Sequence, residues 1–225
     1  MFSYYFDPTY VLVIIAFLLT LFASMGVKST FSKYNDVRSS RGITAASAAR
    51  QILDANGLQN IRVEHVSGDL TDHYSPNENV IRLSDSTYNS TSVAAIGVAA
   101  HECGHAVQHQ VGYVPIKIRN GIVPIVNVCN TLSMPIFIIG LGRLAMVGAI
   151  LFGAVLVFQL VTLPTEINAS RRAMKTLESM YLLEGDELTG ARKTLTAAAM
   201  TYVAAVASTA LQFLRLVLLA NRRRD

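Results

Sequence analysis

The sequence predicts a mostly α membrane protein in which transmembrane helices carry a small α+β part with a short β-sheet. Hydrophobic residues make up 52% of the 225 residues and charged ones only 15%, which is more apolar than an ordinary soluble domain. Apolar runs long enough to cross a bilayer occupy residues 10–27, return over 121–163 and return again over 196–219. Alternating, turn-punctuated sequence is confined to the interval between the first and second of these runs. Cys103 and Cys129 suggest no disulfide framework. The net charge of +4 is carried by juxtamembrane Lys and Arg. Nucleic acid is not an expected partner, because no basic stripe is interleaved with exposed aromatics.

Residues 10–27 are uncharged, and the residues before them include no Lys or Arg. No A-x-A site follows the run, so it reads as an anchor in the lipid bilayer rather than a cleaved signal peptide. Tyr4 and Tyr5 suit a headgroup-level aromatic belt. Lys28, Lys33, Arg38 and Arg41 come directly after the run. The positive-inside rule then places the amino terminus outside and the following residues in the cytoplasm. Thr44 opens a helix that Asn56-Gly57 closes as a left-handed stop. Residues 60–66 and 79–83 read as strands. A third short strand is expected at Leu70, Thr71, Asp72, His73 and Tyr74, with an edge able to pair with an extended peptide. His65 and His73 could each be metal ligands, although a lone strand histidine such as His65 reads rather as a polar surface residue.

After Ser92 comes a helix over residues 93–110, and inside it lies His101-Glu102-Cys103-Gly104-His105. Helical residues four apart share a face about 6 Å apart along the axis, so both imidazoles can hold one metal ion. Glu102 is placed to act as general base toward a water on that ion. Two imidazoles and a carboxylate make Zn²⁺ the expected metal, with a fourth position left open. H-E-x-x-H also occurs by chance. Here it follows eight uncharged residues, where so much polarity is costly to bury unless it is paired or bound to metal. Cys103 faces away from the metal as a small buried residue. His109 shares the histidine face but lies about 12 Å along the axis from His101, too far to join the same ion. No third histidine follows in the metzincin spacing.

Residues 121–163 fit two membrane helices, 122–141 and 144–163, joined by a tight turn at Gly140-Leu141-Gly142-Arg143. Pro124 and Pro135 are tolerated inside such helices. A hairpin returns the chain to the cytoplasm at Pro164, in agreement with Arg171, Arg172 and Lys175. Pro164-Thr165-Glu166 reads as a helix opening. Glu166 is then either a first-turn carboxylate favoured by the helix dipole or the third zinc ligand, in the order of the gluzincin type. Residues 196–219 are long enough to span. Arg215 within them and Arg222-Arg223-Arg224 beyond oppose the positive-inside rule, so spanning and interfacial readings both stand. The chain thus divides into an anchor (1–27), a catalytic region (28–120), a membrane hairpin (121–163), a third-ligand segment (164–195) and an apolar helix with a basic tail (196–225).

D-P-T-Y (7–10), L-T-D-H-Y (70–74), A-A-H-E-C-G-H-A-V-Q-H (99–109) and F-Q-L-V-T-L-P-T-E-I-N-A-S-R-R-A (158–173) together resemble the YugP-like neutral zinc metallopeptidases of bacterial membranes, over nearly the whole chain. The sequence is similar more distantly to the HtpX and CAAX-prenyl-protease group, whose third-ligand glutamate begins an E-x-x-A-D pattern. Glu166 and Ala169 match that pattern, and Ser170 stands where the group has aspartate. The resemblance implies a zincin-like, multi-pass zinc peptidase of the bacterial plasma membrane with a cytoplasmic-side site, acting on membrane or misfolded proteins. His101, His105 and Glu166 would hold Zn²⁺ and Glu102 would be the base. Residues 70–74 would hold substrate, and His73, Tyr74 and Tyr202 are candidates for stabilising the oxyanion. A site-two-type intramembrane protease would need an L-D-G-type motif that the chain lacks. A non-catalytic zinc scaffold would leave Glu102 without a purpose. Metal transport would need more polar residues in the membrane runs than Asn127, Asn130 and Gln159.

Overall fold

The computed structural model describes residues 7–140 and 143–222. The expected turn residues Leu141 and Gly142, the belt residues Tyr4 and Tyr5, and the terminal Arg223 and Arg224 lie outside the described residues. The elements follow the order α1 (Tyr10–Asn35), α2 (Ala45–Ala55), β1 (Arg62–His65), β2 (His73–Ser75), β3 (Val80–Leu83), α3 (Val93–Gln110), α4 (Val114–Ile139), α5 (Arg143–Ser179) and α6 (Gly185–Arg222). The fold is mostly helical with one small sheet, as expected. Among the described residues α1, α4, α5 and α6 are long and apolar enough to cross a membrane.

The helices of the α+β part begin where local chemistry dictates. Thr44 caps α2 by accepting from the Ser47 amide at 3.2 Å, and Ser92 caps α3 by accepting from the Ala95 amide at 3.1 Å. Gly57, at φ +71°, closes α2 as a left-handed stop. Ala45, Ala48, Ala49, Ile52 and Leu53 form a continuous buried stripe on α2. They join Ile81 and Leu83 of β3, Ile96 and Ala99 of α3, Ala173 and Leu177 of α5, and Ala191 and Leu195 of α6 in one core. The sheet has the order β1-β3-β2, with β1 parallel and β2 antiparallel to β3. β2 is therefore an edge strand.

Two expectations require correction. The strand foreseen at residues 70–74 begins only at His73. Gly68 (φ +106°) and Leu70 (φ +55°) turn the chain through left-handed conformations. The Asp72 carboxylate accepts from the Ser84 amide (2.8 Å) and hydroxyl (2.9 Å), which ties Leu70, Thr71 and Asp72 down as a loop at the end of β3. Nor does a new helix open at Pro164, because α5 runs unbroken from Arg143 to Ser179. Proline removes one N–H and crowds the carbonyl four residues back. Packing overrides that cost on both sides of it, since Ala145 and Ala149 before it and Ala169, Ala173 and Leu177 after it are buried. Residues 196–219 belong to the longer α6.

By its contacts the chain forms two compact units, residues 25–117 with 164–200, and residues 1–24 with 118–163 and 201–225. In the second, Phe137, Ala145, Ala149, Leu216 and Ala220 make a small core. Phe17 and Phe22 of α1 are more than 60% exposed, as suits a lipid-facing helix. Ser208 donates to the Ala16 carbonyl at 2.9 Å. The Arg215 guanidinium lies over the Tyr10 ring (4.8 Å) and 3.8 Å from the Asp7 carboxylate, which also pairs with Arg222 at 3.2 Å. That anion is what lets an apolar helix carry Arg215.

Candidate metal centre

α3 brings His101 and His105 onto one face, and α5 lies against that face. Gly104 makes the approach possible, because a Cβ there would stand 2.6 Å from the Ala169 carbonyl oxygen. The crossing sets Glu166 opposite both histidines. His101 Nε2 and His105 Nε2 are 3.1 Å apart. The Glu166 Oε2 atom is 3.3 Å from the first and 3.4 Å from the second. These side chains are 15%, 12% and 5% exposed respectively. A tetrahedral ion with bonds near 2.05 Å requires ligand-to-ligand edges of about 3.3–3.4 Å. The three atoms thus form a triangle of the size that zinc requires, and His, His and Glu are the donor set of a catalytic rather than a structural site.

The outer nitrogens of both imidazoles have partners, and for His105 the partner fixes the proton. Gln108 is fully buried and donates its amide to the Thr165 carbonyl (2.8 Å) and to Asn168 Oδ1 (3.0 Å). Its Oε1 must then face His105 Nδ1, 3.1 Å away, and accept from it. With the proton on Nδ1, the His105 Nε2 lone pair points at the cluster. Asn168 is itself held by Arg172 Nε at 2.8 Å. His101 Nδ1 meets Ser170 Oγ at 3.1 Å, so a hydroxyl supports His101 where the distant group has a carboxylate. Burial opposes charging His105, but the carboxylates of Glu166 and Glu102 outweigh it and raise its pKa. The pocket favours a cation.

Glu102 is buried at the same level of α3. Cys103 is fully buried and points to the Ala49 carbonyl (3.6 Å), and burial raises its thiol pKa. It supplies no thiolate, as its helical position implies. His109 packs edge-on against Tyr74 of β2, with ring centroids 6.2 Å apart, and is not one of the clustered ligands. His73 Nδ1 engages the Thr71 carbonyl at 2.8 Å, and His65 pairs with Asp85 at 2.6 Å on the surface. Gln108 was missed in the sequence, where the available signal was its spacing three residues past His105, on the same helix face. Ser170 was noted only as standing where the distant group has aspartate, and it meets His101.

Comparison with known proteins agrees with this chemistry. Residues 9–221 match the family model described as "Putative neutral zinc metallopeptidase". The chain belongs to this family. It is 45% identical over 218 residues to "Putative membrane protease YugP" of Bacillus subtilis (strain 168), covering 95% of this chain and 97% of that protein. No solved structure matches significantly. Membership makes zinc the metal that the His101, His105 and Glu166 cluster suits, and together with the apolar helices it makes the chain a multi-pass membrane metallopeptidase.

Proposed function

We propose that the chain is a gluzincin-type endopeptidase that hydrolyses peptide bonds of membrane or misfolded proteins at the cytoplasmic face of the bacterial plasma membrane. The triangle of His101, His105 and Glu166 donor atoms carries this reading. Among the described residues no fourth His, Cys, Asp or Glu joins the cluster, which leaves a position for water and substrate. Zinc held there supplies a Lewis acid that polarises the scissile carbonyl and acidifies water. Glu102, one residue from a ligand, takes the proton of the attacking water and returns it to the leaving amine nitrogen. Gln108 holds His105 in the protonation state that ligation needs, and Ser170 orients the His101 ring. The edge strand β2, with His73 and Tyr74, pairs with the extended substrate, while Leu70, Thr71 and Asp72 shape the loop leading into it. Lys28, Lys33, Arg38, Arg41, Arg171, Arg172 and Lys175 favour the cytoplasmic side.

Chelator-stripped protein should cleave neither casein nor an unfolded membrane protein, and added Zn²⁺ should restore both. Undiminished cleavage after complete zinc removal would refute the reading. A cysteine placed at Ser40 should be shielded from impermeant thiol reagents in intact cells, and labelling there would put the site on the other face.

A further inference from the structure

Next to the zinc cluster, α5 and α6 enclose a groove of about 500 Å³. Its lining includes Ser170, the residue whose hydroxyl meets His101 Nδ1 at 3.1 Å. Along α5 the groove runs from Ile167 to Glu178, a length of about 16 Å at 1.5 Å per residue. An extended peptide rises about 3.3 Å per residue, so about five residues fit. Met174 and Leu195 give it an apolar floor, and Arg171, Lys175 and Arg192 line it as exposed cations against the single carboxylate of Glu178.

None of those three cations is in an ion pair with a described residue. Arg50, Arg82, Arg215 and Arg222 are all paired elsewhere in the chain, and the adjacent Arg172 is committed to Asn168. Basic residues near a membrane are ordinarily a solvated face, but these line an apolar trough that passes the support of a metal ligand, Ser170. We propose that the groove is a specificity site for an acidic segment of the polypeptide substrate. Carboxylates would lie on Arg171, Lys175 and Arg192, with apolar side chains on Met174 and Leu195. This rests on the peptidase reading above and names its substrate class. A phosphate headgroup fits less well, because the Met174 and Leu195 floor offers it no hydrogen-bond partner and suits apolar side chains between the carboxylates.

The test uses the zinc-loaded full chain in phosphatidylcholine vesicles and three matched quenched-fluorescence peptides. Their apolar cores are identical and their flanking blocks are Glu, Gln or Lys. We expect kcat/KM for the Glu peptide to exceed that for the Gln peptide by roughly tenfold, with the Lys peptide lowest. Arg171→Glu and Arg192→Glu should each lower the Glu-to-Lys ratio by about tenfold or more with zinc still near one per chain. If either variant fails to hold zinc, salt decides on the wild type, whose Glu advantage should vanish between about 0.05 and 0.5 M. Equal cleavage of all three peptides, or a ratio that neither reversal nor salt moves, would overturn the inference and leave the peptidase standing. The inference would also fall if phosphatidylglycerol co-purified with wild type but not with Arg192→Glu while the peptides were cleaved equally. A zinc-loaded wild type that cleaves no peptide would remove both readings together.

Discussion

Replacing Gly104 by alanine sets local helix preference against the packing that builds the metal centre. In an unobstructed helix interior the change would stabilise by about 1 kcal/mol. Here the new Cβ would stand 2.6 Å from the Ala169 carbonyl oxygen and 3.2 Å from its carbon, where a carbon–oxygen contact needs about 3.3–3.6 Å. The obstructing atoms are backbone, so α5 has to retreat by roughly 0.7–1 Å. Metal sites tolerate only about 0.2 Å in ligand distance, and Glu166 moves with α5. Overpacking of this kind costs about 1–3 kcal/mol, which outweighs the gain in helix preference. Gly104→Ala is therefore expected to lower the melting temperature and to weaken zinc binding by about tenfold or more, read by competition with a chromogenic chelator. Gly97→Ala is the control, since its Cβ would meet Ala191 Cβ at an ordinary 3.4 Å. A Gly104→Ala protein that melts higher than wild type and binds zinc as tightly would refute the argument.

Gln108→Leu takes the acceptor from His105 Nδ1 and the donor from the Thr165 carbonyl, so zinc affinity should fall by about 10–100-fold and stability by roughly 1–3 kcal/mol. Ser170→Ala should weaken zinc less, because the partly exposed His101 can recruit water; chelator competition and thermal melts on the two variants check the order. Asp7→Asn leaves Arg215 without its anion and should lower the melting temperature in detergent. Arg215→Leu in the same background should recover most of that loss, and a double-mutant cycle with no coupling would show that the pair contributes nothing.

The parts of this molecule visible in its sequence are those fixed within a few turns of one helix. Ser92, the uncharged run after it and the four-residue spacing of His101 and His105 define α3 and its ligand face without reference to the rest of the chain. Glu166 was legible by its order after the histidines, although the helix was expected to begin beside it. Proline rules describe a local cost, and what outweighs it along α5, the burial of Ala149 on one side and of Ala169 and Leu177 on the other, is tertiary. The strand at residues 70–74 was misplaced because a left-handed leucine leaves no mark in the pattern and Asp72 finds its partner at Ser84. Gln108 looked like one more polar residue near a helix end until α5 supplied Thr165 and Asn168. Nor could the sequence reveal that Arg215, within the last apolar run, finds an anionic partner in Asp7 at the other end of the chain.

The central claim is tested most directly by measuring zinc content and casein cleavage side by side on wild type, Glu102→Gln and Glu166→Ala. The account predicts about one zinc per chain with cleavage in wild type. Glu102→Gln should keep the zinc and lose cleavage, and Glu166→Ala should lose both. Zinc retained in all three proteins with no cleavage in any, or full activity in Glu102→Gln, would contradict it.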